Sequence, residues 1–179
     1  MSLSPNEAAQ RLREAPDVQK RSKEVYGYNL CAPYFFIWGL VWVVGYAGNA
    51  VAPTRTETIW QGSLLAGVLA TIVAGRLQKM RPNWRAGAAS GVTFAFTYAL
   101  FAIMPPRNAL QAGAYWPLLF SALYAGAGLW FGARYTIVGV ILAAAALCGY
   151  FFLREYFFLW MAFIGGGSLI LTGFWLRRA

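Results

Sequence analysis

The segment CAPYFFIWGLVWVVGYAGNAVA, residues 31–52, contains no Asp, Glu, Lys or Arg. A hydrocarbon core about 30 Å thick requires about 20 helical residues, so this segment is long enough to cross a bilayer as a helix. Further uncharged segments of similar length follow it along the chain. The predicted spans are residues 31–52, 59–75, 86–104, 116–133, 136–153 and 156–176. The sequence therefore predicts an all-α integral membrane bundle of six transmembrane helices.

The composition of the 179-residue chain agrees with this interpretation. Hydrophobic residues make up 59% of the sequence and charged residues only 12%, whereas about 25% charge is usual in a soluble domain. Half of the usual charged surface is therefore missing. A lipid environment explains the deficit, because lipid-facing helices need no charged exterior.

The first 30 residues differ from the rest and form a separate predicted region. Residues 1–30 read as a cytoplasmic or interfacial amphipathic segment, and residues 31–179 as the transmembrane domain. Pro5 suits the first position of a helix, and Pro16 predicts the end of that helix. A second short helix is predicted to begin at Asp17. A docking arm for a cytosolic partner is the alternative interpretation of this segment.

The distribution of positive charge predicts the orientation in the membrane. Of the 15 Lys and Arg residues, only Arg55, Arg107 and Arg154 fall on the side opposite the termini. Because positive residues are retained on the cytoplasmic side, both termini are predicted to be cytoplasmic. We expect a multi-pass protein of the cell membrane, meaning a bacterial-type inner membrane or a plasma membrane.

The inventory of reactive side chains argues against catalysis and metal binding. The chain has no His, and its two cysteines, Cys31 and Cys148, stand far apart in the sequence. An imidazole base, a His-activated nucleophile and the usual zinc motifs are therefore excluded. We expect no enzyme, no metal and no cofactor. The chain has a net charge of +9, and its positively charged residues flank the apolar runs. We therefore expect these residues to contact lipid headgroups and not nucleic acid.

A comparison of the chain with itself at an offset of 78 residues aligns the first three spans with the last three. The identities include Trp38 with Trp116, Tyr46 with Tyr124, Gly48 with Gly126, Gly87 with Gly165, Ser90 with Ser168 and Phe96 with Phe174. A duplicated unit and a chance match in a biased composition both explain this agreement. A true duplication of three spans would give a 3+3 inverted repeat, which is typical of transporters and some channels.

Uncharged polar residues inside the spans suggest the leading hypothesis, a small channel or facilitator for an uncharged or weakly polar solute. The predicted path residues are Tyr46, Asn49, Gln61 and Tyr124. The predicted vestibule at the outer face consists of Arg107, Tyr150, Arg154 and Glu155. Hydroxyls and amides can line a solute path, and they can equally form hydrogen bonds between helices. The absence of charge inside the spans argues against proton coupling and voltage sensing.

The small number of reactive groups inside the spans suggests the competing hypothesis, a structural or regulatory membrane subunit that binds another protein through the N-terminal arm or through helix faces lined by Gly and Ala. The predicted packing residues are Gly87, Gly91, Gly128, Gly132, Gly165, Gly166 and Gly167. Small residues four apart let helix backbones approach closely in lipid. A broken helix at residues 165–168 is the alternative interpretation of the last glycines. The expected partners are the lipid bilayer and either further copies of the chain or another membrane protein.

Overall fold

The computed structural model describes the backbone of residues 5–79 and 84–178 and the side chains of residues 27–79, 84 and 87–178. The helices are α1 (Pro5–Val51), α2 (Thr56–Leu77), α3 (Trp84–Ile103), α4 (Ala109–Phe131), α5 (Ala133–Phe152) and α6, which comprises Phe157–Trp160, the π-helical segment Met161–Gly166 and Gly167–Arg177. Short 3-10 turns, Pro53–Arg55 and Arg154–Tyr156, precede α2 and α6. No strand occurs within the described ranges. The predicted all-α bundle of six helices is confirmed.

Four of the helical segments are long and apolar enough to cross a membrane. They are Gly27–Val51, Pro53–Leu77, Ala133–Phe152 and Arg154–Arg177. The apolar part of α3, Gly87–Ile103, is shorter. Length and composition therefore give the molecule the character of a membrane protein, as the sequence predicts.

The predicted helix end at Pro16 is wrong, because α1 continues from Pro5 to Val51 without interruption. A proline inside a helix removes one hydrogen bond and its ring crowds the carbonyl four residues earlier, at a cost of about 3 kcal/mol. Strong helix formers, including Ala, Glu, Gln, Arg and Lys, flank this proline on both sides and favour continuation. The N-terminal segment and the first predicted span are consequently one helix.

The start of α4 also differs from the sequence prediction, which places the fourth span from residue 116. The helix begins about two turns earlier, at Ala109, because Asn108 caps it. The Asn108 side chain accepts a hydrogen bond from the Gln111 backbone N–H at 2.8 Å, which satisfies one free donor of the first turn. Pro117 is accommodated inside the helix.

The helices alternate in direction, which gives the bundle two ends. We call the end with the Pro53–Arg55 turn the Pro53 end, and the end where α4 meets α5 the Arg134 end. At the Arg134 end, α4 and α5 are joined by Gly132, whose φ of 118° lies in the region that favours glycine. The two helices approach closely, since a Cβ at Gly139 would lie 2.6 Å from the Ser121 carbonyl oxygen.

The core is centred on α1, which packs against α2 and α6 directly and against α4 and α5 through aromatic rings. Phe35 of α1 stacks on Tyr124 of α4 with ring centroids 5.3 Å apart, and Trp42 meets Phe120 at 5.9 Å. Aromatic side chains therefore fill the space between α1 and α4. The fully buried residues include Tyr46, Leu142, Phe157, Met161, Leu169 and Leu176.

Candidate functional site

Tyr46 and Asn49, two of the predicted path residues, lie near the Pro53 end and are joined through Trp60. Tyr46 is 1% exposed, and its hydroxyl donates a 2.7 Å hydrogen bond to the Gly113 carbonyl oxygen of α4. Its ring contacts that of Trp60 edge to face, at 5.2 Å between centroids. Trp60 Nε1 in turn donates to Asn49 Oδ1 at 3.0 Å. These polar groups therefore connect α1 to α2 and α4.

The other two predicted path residues lie elsewhere. Gln61 is exposed on α2, where its Nε2 donates to Glu57 Oε1 at 3.1 Å. Tyr124 stacks on Phe35. Phe35 and Tyr46 are separated by eleven residues of α1, which corresponds to about 16 Å along the helix axis. The structure brings Tyr46 and Asn49 together, leaves Gln61 on the exposed side of α2 and places Tyr124 apart from them.

The four predicted vestibule residues all lie toward the Pro53 end, where one contact links two of them. The Arg154 guanidinium carbon lies 5.8 Å from the centre of the Tyr150 ring. Glu155 is exposed in the same turn, Arg154–Tyr156. Arg107 is also exposed, and its backbone N–H donates to Gln111 Oε1 at 2.7 Å. The arrangement is a set of surface charges around the first turns of α4 and α6.

The predicted packing glycines of α6 lie against α1. A Cβ at Gly166 would lie 2.6 Å from Val43 Cγ2 and 2.9 Å from the Gly39 carbonyl oxygen. A Cβ at Gly165 would meet Trp42 at 3.5 Å. The wider turn of the π-helical segment lets these two consecutive glycines both face α1, and the helix is continuous there. Ser168 Oγ donates to the Gly165 carbonyl oxygen at 2.9 Å.

The predicted packing glycines of α4 lie beside the turn into α5. A Cβ at Gly128 would lie 2.5 Å from the Thr136 backbone nitrogen. A Cβ at Gly132 would lie 1.9 Å from the Tyr28 hydroxyl, so this glycine makes room for α1. Gly167, by contrast, has nothing within 4 Å of its Cβ position.

The predicted packing glycines of α3 face open space. Gly87 and Gly91 are exposed, and a Cβ at either position would meet nothing within 4 Å. Ala95 and Ala99 continue the same i, i+4 row and are also exposed. We call these four residues the α3 stripe.

The attachment of α3 to the bundle runs through a few residues that lie outside the α3 stripe. Phe101 packs edge to face on Tyr115 of α4 at 4.8 Å, and Thr97 Oγ1 lies 3.3 Å from the Tyr115 hydroxyl. Phe94 and Phe101 also contact the Trp116 ring at 6.4 and 6.3 Å. The contact between α3 and the rest of the described bundle is therefore narrow.

Two polar oxygens on α2 are buried without a hydrogen-bond partner among the described residues. They are Thr71 Oγ1 and Gln78 Oε1. Both belong to the face of α2 that carries Gly75, whose Cβ position is 3.4 Å from the Tyr34 hydroxyl of α1. Buried polar atoms normally have a hydrogen-bond partner. Two buried oxygens without a partner among the described residues therefore distinguish this face of α2.

At the Arg134 end, the Arg134 side chain contacts two aromatic rings, and the sequence-based predictions do not include this arrangement. The Arg134 guanidinium lies 5.2 Å from the centre of the Tyr28 ring and 4.9 Å from that of Trp175. Its Nη1 donates to the Trp175 carbonyl oxygen at 2.8 Å. In the sequence, Arg134 is only one of two residues between the predicted spans 116–133 and 136–153. Only the packing of α1, α5 and α6 brings its partners together.

The described residues hold no group of three or more His, Cys, Asp or Glu side chains arranged to bind a metal ion. Comparison with known proteins finds no matching family model, no matching curated protein and no matching solved structure.

Proposed function

We propose that this protein is an accessory membrane subunit that binds a transmembrane helix of another membrane protein through the α3 stripe. The observation that supports this proposal is the exposure of Gly87, Gly91, Ala95 and Ala99 in one row on a weakly attached helix. In lipid, helix association depends on close packing, since the hydrophobic effect does not drive apolar helices together. A row of small residues supplies the flat surface that such packing needs.

The bundle itself contains an example of the proposed contact. Gly39 of α1 and Gly166 of α6 let their backbones approach so closely that a Cβ at Gly39 would lie 3.0 Å from the Gly166 carbonyl oxygen. The α3 stripe has the same small side chains and faces outward. A partner helix with small residues of its own would fit there in the same way.

The proposed setting is the cell membrane with both termini cytoplasmic and with α3 and α4 completing six spans. The orientation rests on the unequal distribution of positive charge, with only Arg55, Arg107 and Arg154 on the opposite side. In this setting the α3 stripe faces the lipid, where a partner helix reaches it by lateral diffusion. The small number of groups able to exchange protons suits a subunit without catalytic activity of its own.

Photo-crosslinking tests the proposal. A benzoylphenylalanine replaces Phe96, which is 59% exposed beside the α3 stripe, and the matched control replaces Phe163, which is 78% exposed on α6. Both positions lie about seven residues from the Pro53 end of their helices. We expect a defined adduct with a second polypeptide from position 96 and none from position 163, when the full chain is irradiated in its native membrane.

The variant Gly91→Leu should abolish that adduct, because a leucine in the stripe prevents close helix approach. Gly62→Leu on α2 is the control, since Gly62 is likewise exposed with nothing near its Cβ position. Equal crosslinking from positions 96 and 163 would overturn the proposal. A bare homo-oligomer, after extraction in a lipid-preserving polymer, would also overturn it.

A second proposal, a facilitator for an uncharged or weakly polar solute, is favoured by the buried oxygens of Thr71 and Gln78, which have no hydrogen-bond partner among the described residues. Polar oxygens within or beside a membrane segment can interact with a polar solute as it passes. This function predicts glycerol or urea flux into proteoliposomes that contain the purified chain. Thr71→Val should then reduce the flux at least threefold, whereas Gln61→Leu, on the exposed face, should leave it unchanged. Flux equal to that of empty liposomes would exclude the facilitator for these two probes.

A further inference from the structure

We propose that the Arg134 end carries a binding site for the phosphate headgroup of an anionic phospholipid, formed by Arg134 and Arg177. The site lies where the first turn of α5 meets the last turn of α6. The proposal rests on the position of these two cations and on the aromatic rings that hold them. It is independent of the function proposed for α3.

The first cation is held in a defined position. Arg134 is half-buried, and its guanidinium lies within cation–π range of both Tyr28 and Trp175. One of its N–H groups donates a hydrogen bond to the Trp175 carbonyl oxygen at 2.8 Å. A guanidinium has five N–H donors in a planar fork that matches the geometry of a phosphate. Arg134 is therefore oriented by the fold and retains donors for an anion.

The second cation belongs to the same turn of α6 that accepts the hydrogen bond from Arg134. Arg177 follows Trp175 by two residues, and its guanidinium lies 5.7 Å from the centre of the Phe36 ring of α1. Arg178 comes next and is exposed. Rings of α1 thus hold both guanidinium groups at this end of the bundle. The arrangement concentrates positive charge on a surface that the tertiary structure creates.

The described carboxylates lie at the other end of the molecule. Glu57 is in the first turn of α2 and Glu155 is in the turn before α6, both at the Pro53 end. Among the residues whose side chains the structure describes, the Arg134 end has Arg76, Lys79, Arg134, Arg177 and Arg178 and no carboxylate. Neither Glu57 nor Glu155 therefore competes with these cations for an anion. Basic surfaces at helix ends are known to bind lipid headgroups for this reason.

The surroundings of the site favour a lipid over a soluble anion. Trp130 and Trp175, which are 77% and 39% exposed, present indole rings at this end of the bundle, and such rings are enriched where membrane proteins meet the headgroup region. Leu171 and Phe174 of α6 are exposed in the adjoining turns and offer an apolar surface to acyl chains. A phospholipid can contact the cations and this apolar surface at the same time, whereas inorganic phosphate can contact only the cations.

Native mass spectrometry of the full chain in detergent tests the assignment. The probes are phosphatidylglycerol and phosphatidylcholine with identical acyl chains, so that only the headgroup differs. A basic residue near a membrane surface contributes a factor of about five to the binding of anionic lipid. We therefore expect about 25-fold tighter retention of phosphatidylglycerol by the wild-type protein, and near-equal retention of the two lipids by the Arg134→Gln, Arg177→Gln double variant.

The matched control is Arg154→Gln, because Arg154 also lies over an aromatic ring at a turn between two helices but at the Pro53 end. This variant should retain phosphatidylglycerol as the wild type does. If the double variant fails to fold, Arg177→Gln alone is the test, since this exposed side chain is peripheral to the core; a loss of about fivefold is expected.

Three results would overturn the assignment. Equal retention of phosphatidylglycerol and phosphatidylcholine by the wild type would show that the site does not select an anionic headgroup. An equal loss in Arg154→Gln would show that the effect is general charge attraction. Displacement of the lipid by millimolar inorganic phosphate would identify a soluble anion as the ligand.

Discussion

The helices α3 and α6 carry small residues in corresponding places, yet they differ in how they pack. At the 78-residue offset, Gly87 of α3 aligns with Gly165 of α6. Gly165 and its neighbour Gly166 are buried against α1, whereas Gly87 has nothing within 4 Å of its Cβ position. Aligned glycines therefore lie in a close helix crossing in one helix and on an exposed surface in the other.

The difference shows that a small-residue row specifies close packing only when a complementary surface faces it. Gly166 meets Gly39, a second glycine, so that both backbones approach. α3 meets α4 through Phe101 and Thr97, which lie outside the stripe. Since lipid tails are as apolar as the helix surface, leaving the α3 stripe against lipid costs little.

The largest expected effect is the destabilisation caused by Gly166→Leu compared with Gly91→Leu. A side chain at position 166 would enter the space of Val43 and of the Gly39 carbonyl, so α1 and α6 would have to separate. We expect a loss of about 3 kcal/mol in the free energy of unfolding, at the upper end of overpacking effects. Gly91→Leu, at an open position, should change it by less than about 0.5 kcal/mol.

Unfolding in mixed micelles, followed by tryptophan fluorescence, measures both variants without any partner protein. Equal destabilisation by the two leucines would contradict the difference in packing between α3 and α6. A change confined to Gly166→Leu would support it.

The next effect concerns the attachment of α3. Phe101→Ala removes the ring that packs on Tyr115 and Trp116, and we expect a loss of about 1–2 kcal/mol, because part of this surface is replaced by lipid contacts. A spin label on α3 should report increased mobility in this variant. The control is Phe94→Ala, whose more distant contact with Trp116, at 6.4 Å, predicts a smaller change. If the label on α3 kept its wild-type mobility in Phe101→Ala, the narrow attachment would be wrong.

The smallest expected effect compares two threonines that bond in the same way to their own helix. Thr97 donates to the Thr93 carbonyl oxygen at 2.8 Å, and Thr172 donates to that of Ser168 at 2.7 Å. Only Thr97 also approaches a hydroxyl of another helix, that of Tyr115, at 3.3 Å. Thr97→Val should therefore cost about 0.6 kcal/mol, the average for an interhelical hydrogen bond in a membrane, and Thr172→Val less. Chemical unfolding of the two variants measures both losses in the free energy of unfolding. A larger loss in Thr172→Val than in Thr97→Val would contradict the prediction.

Much of the fold follows from the sequence because uncharged runs and the breakers between them are local signals. The helical character of the predicted spans agrees with the observed helices, and the main errors lie at prolines. Pro16 does not end α1, and α4 begins at Ala109, before Pro117. Flanking helix formers carry α1 through Pro16, and a capping Asn starts α4 seven residues before the predicted span.

Less of the candidate site could be predicted from the sequence. Hydroxyls and amides inside spans are visible in the sequence, but their partners are not. The hydroxyl of Tyr46 bonds to α4, and Gln61 bonds to Glu57 within its own helix. Position along the chain could not distinguish these two cases, because the rotation of each helix about its axis decides which residues face inward. The roles proposed for the path, the vestibule and the 78-residue repeat stay predictions.

The sequence by itself determined that this chain is a helical membrane-type protein, because hydropathy and charge act locally and set the length of each apolar helix. Only the tertiary structure decided that the glycines of α6 are buried and those of α3 exposed, and that Arg134 sits between Tyr28 and Trp175. The physical reason is that helices in lipid associate through shape and a few hydrogen bonds, whose partners lie far apart in sequence.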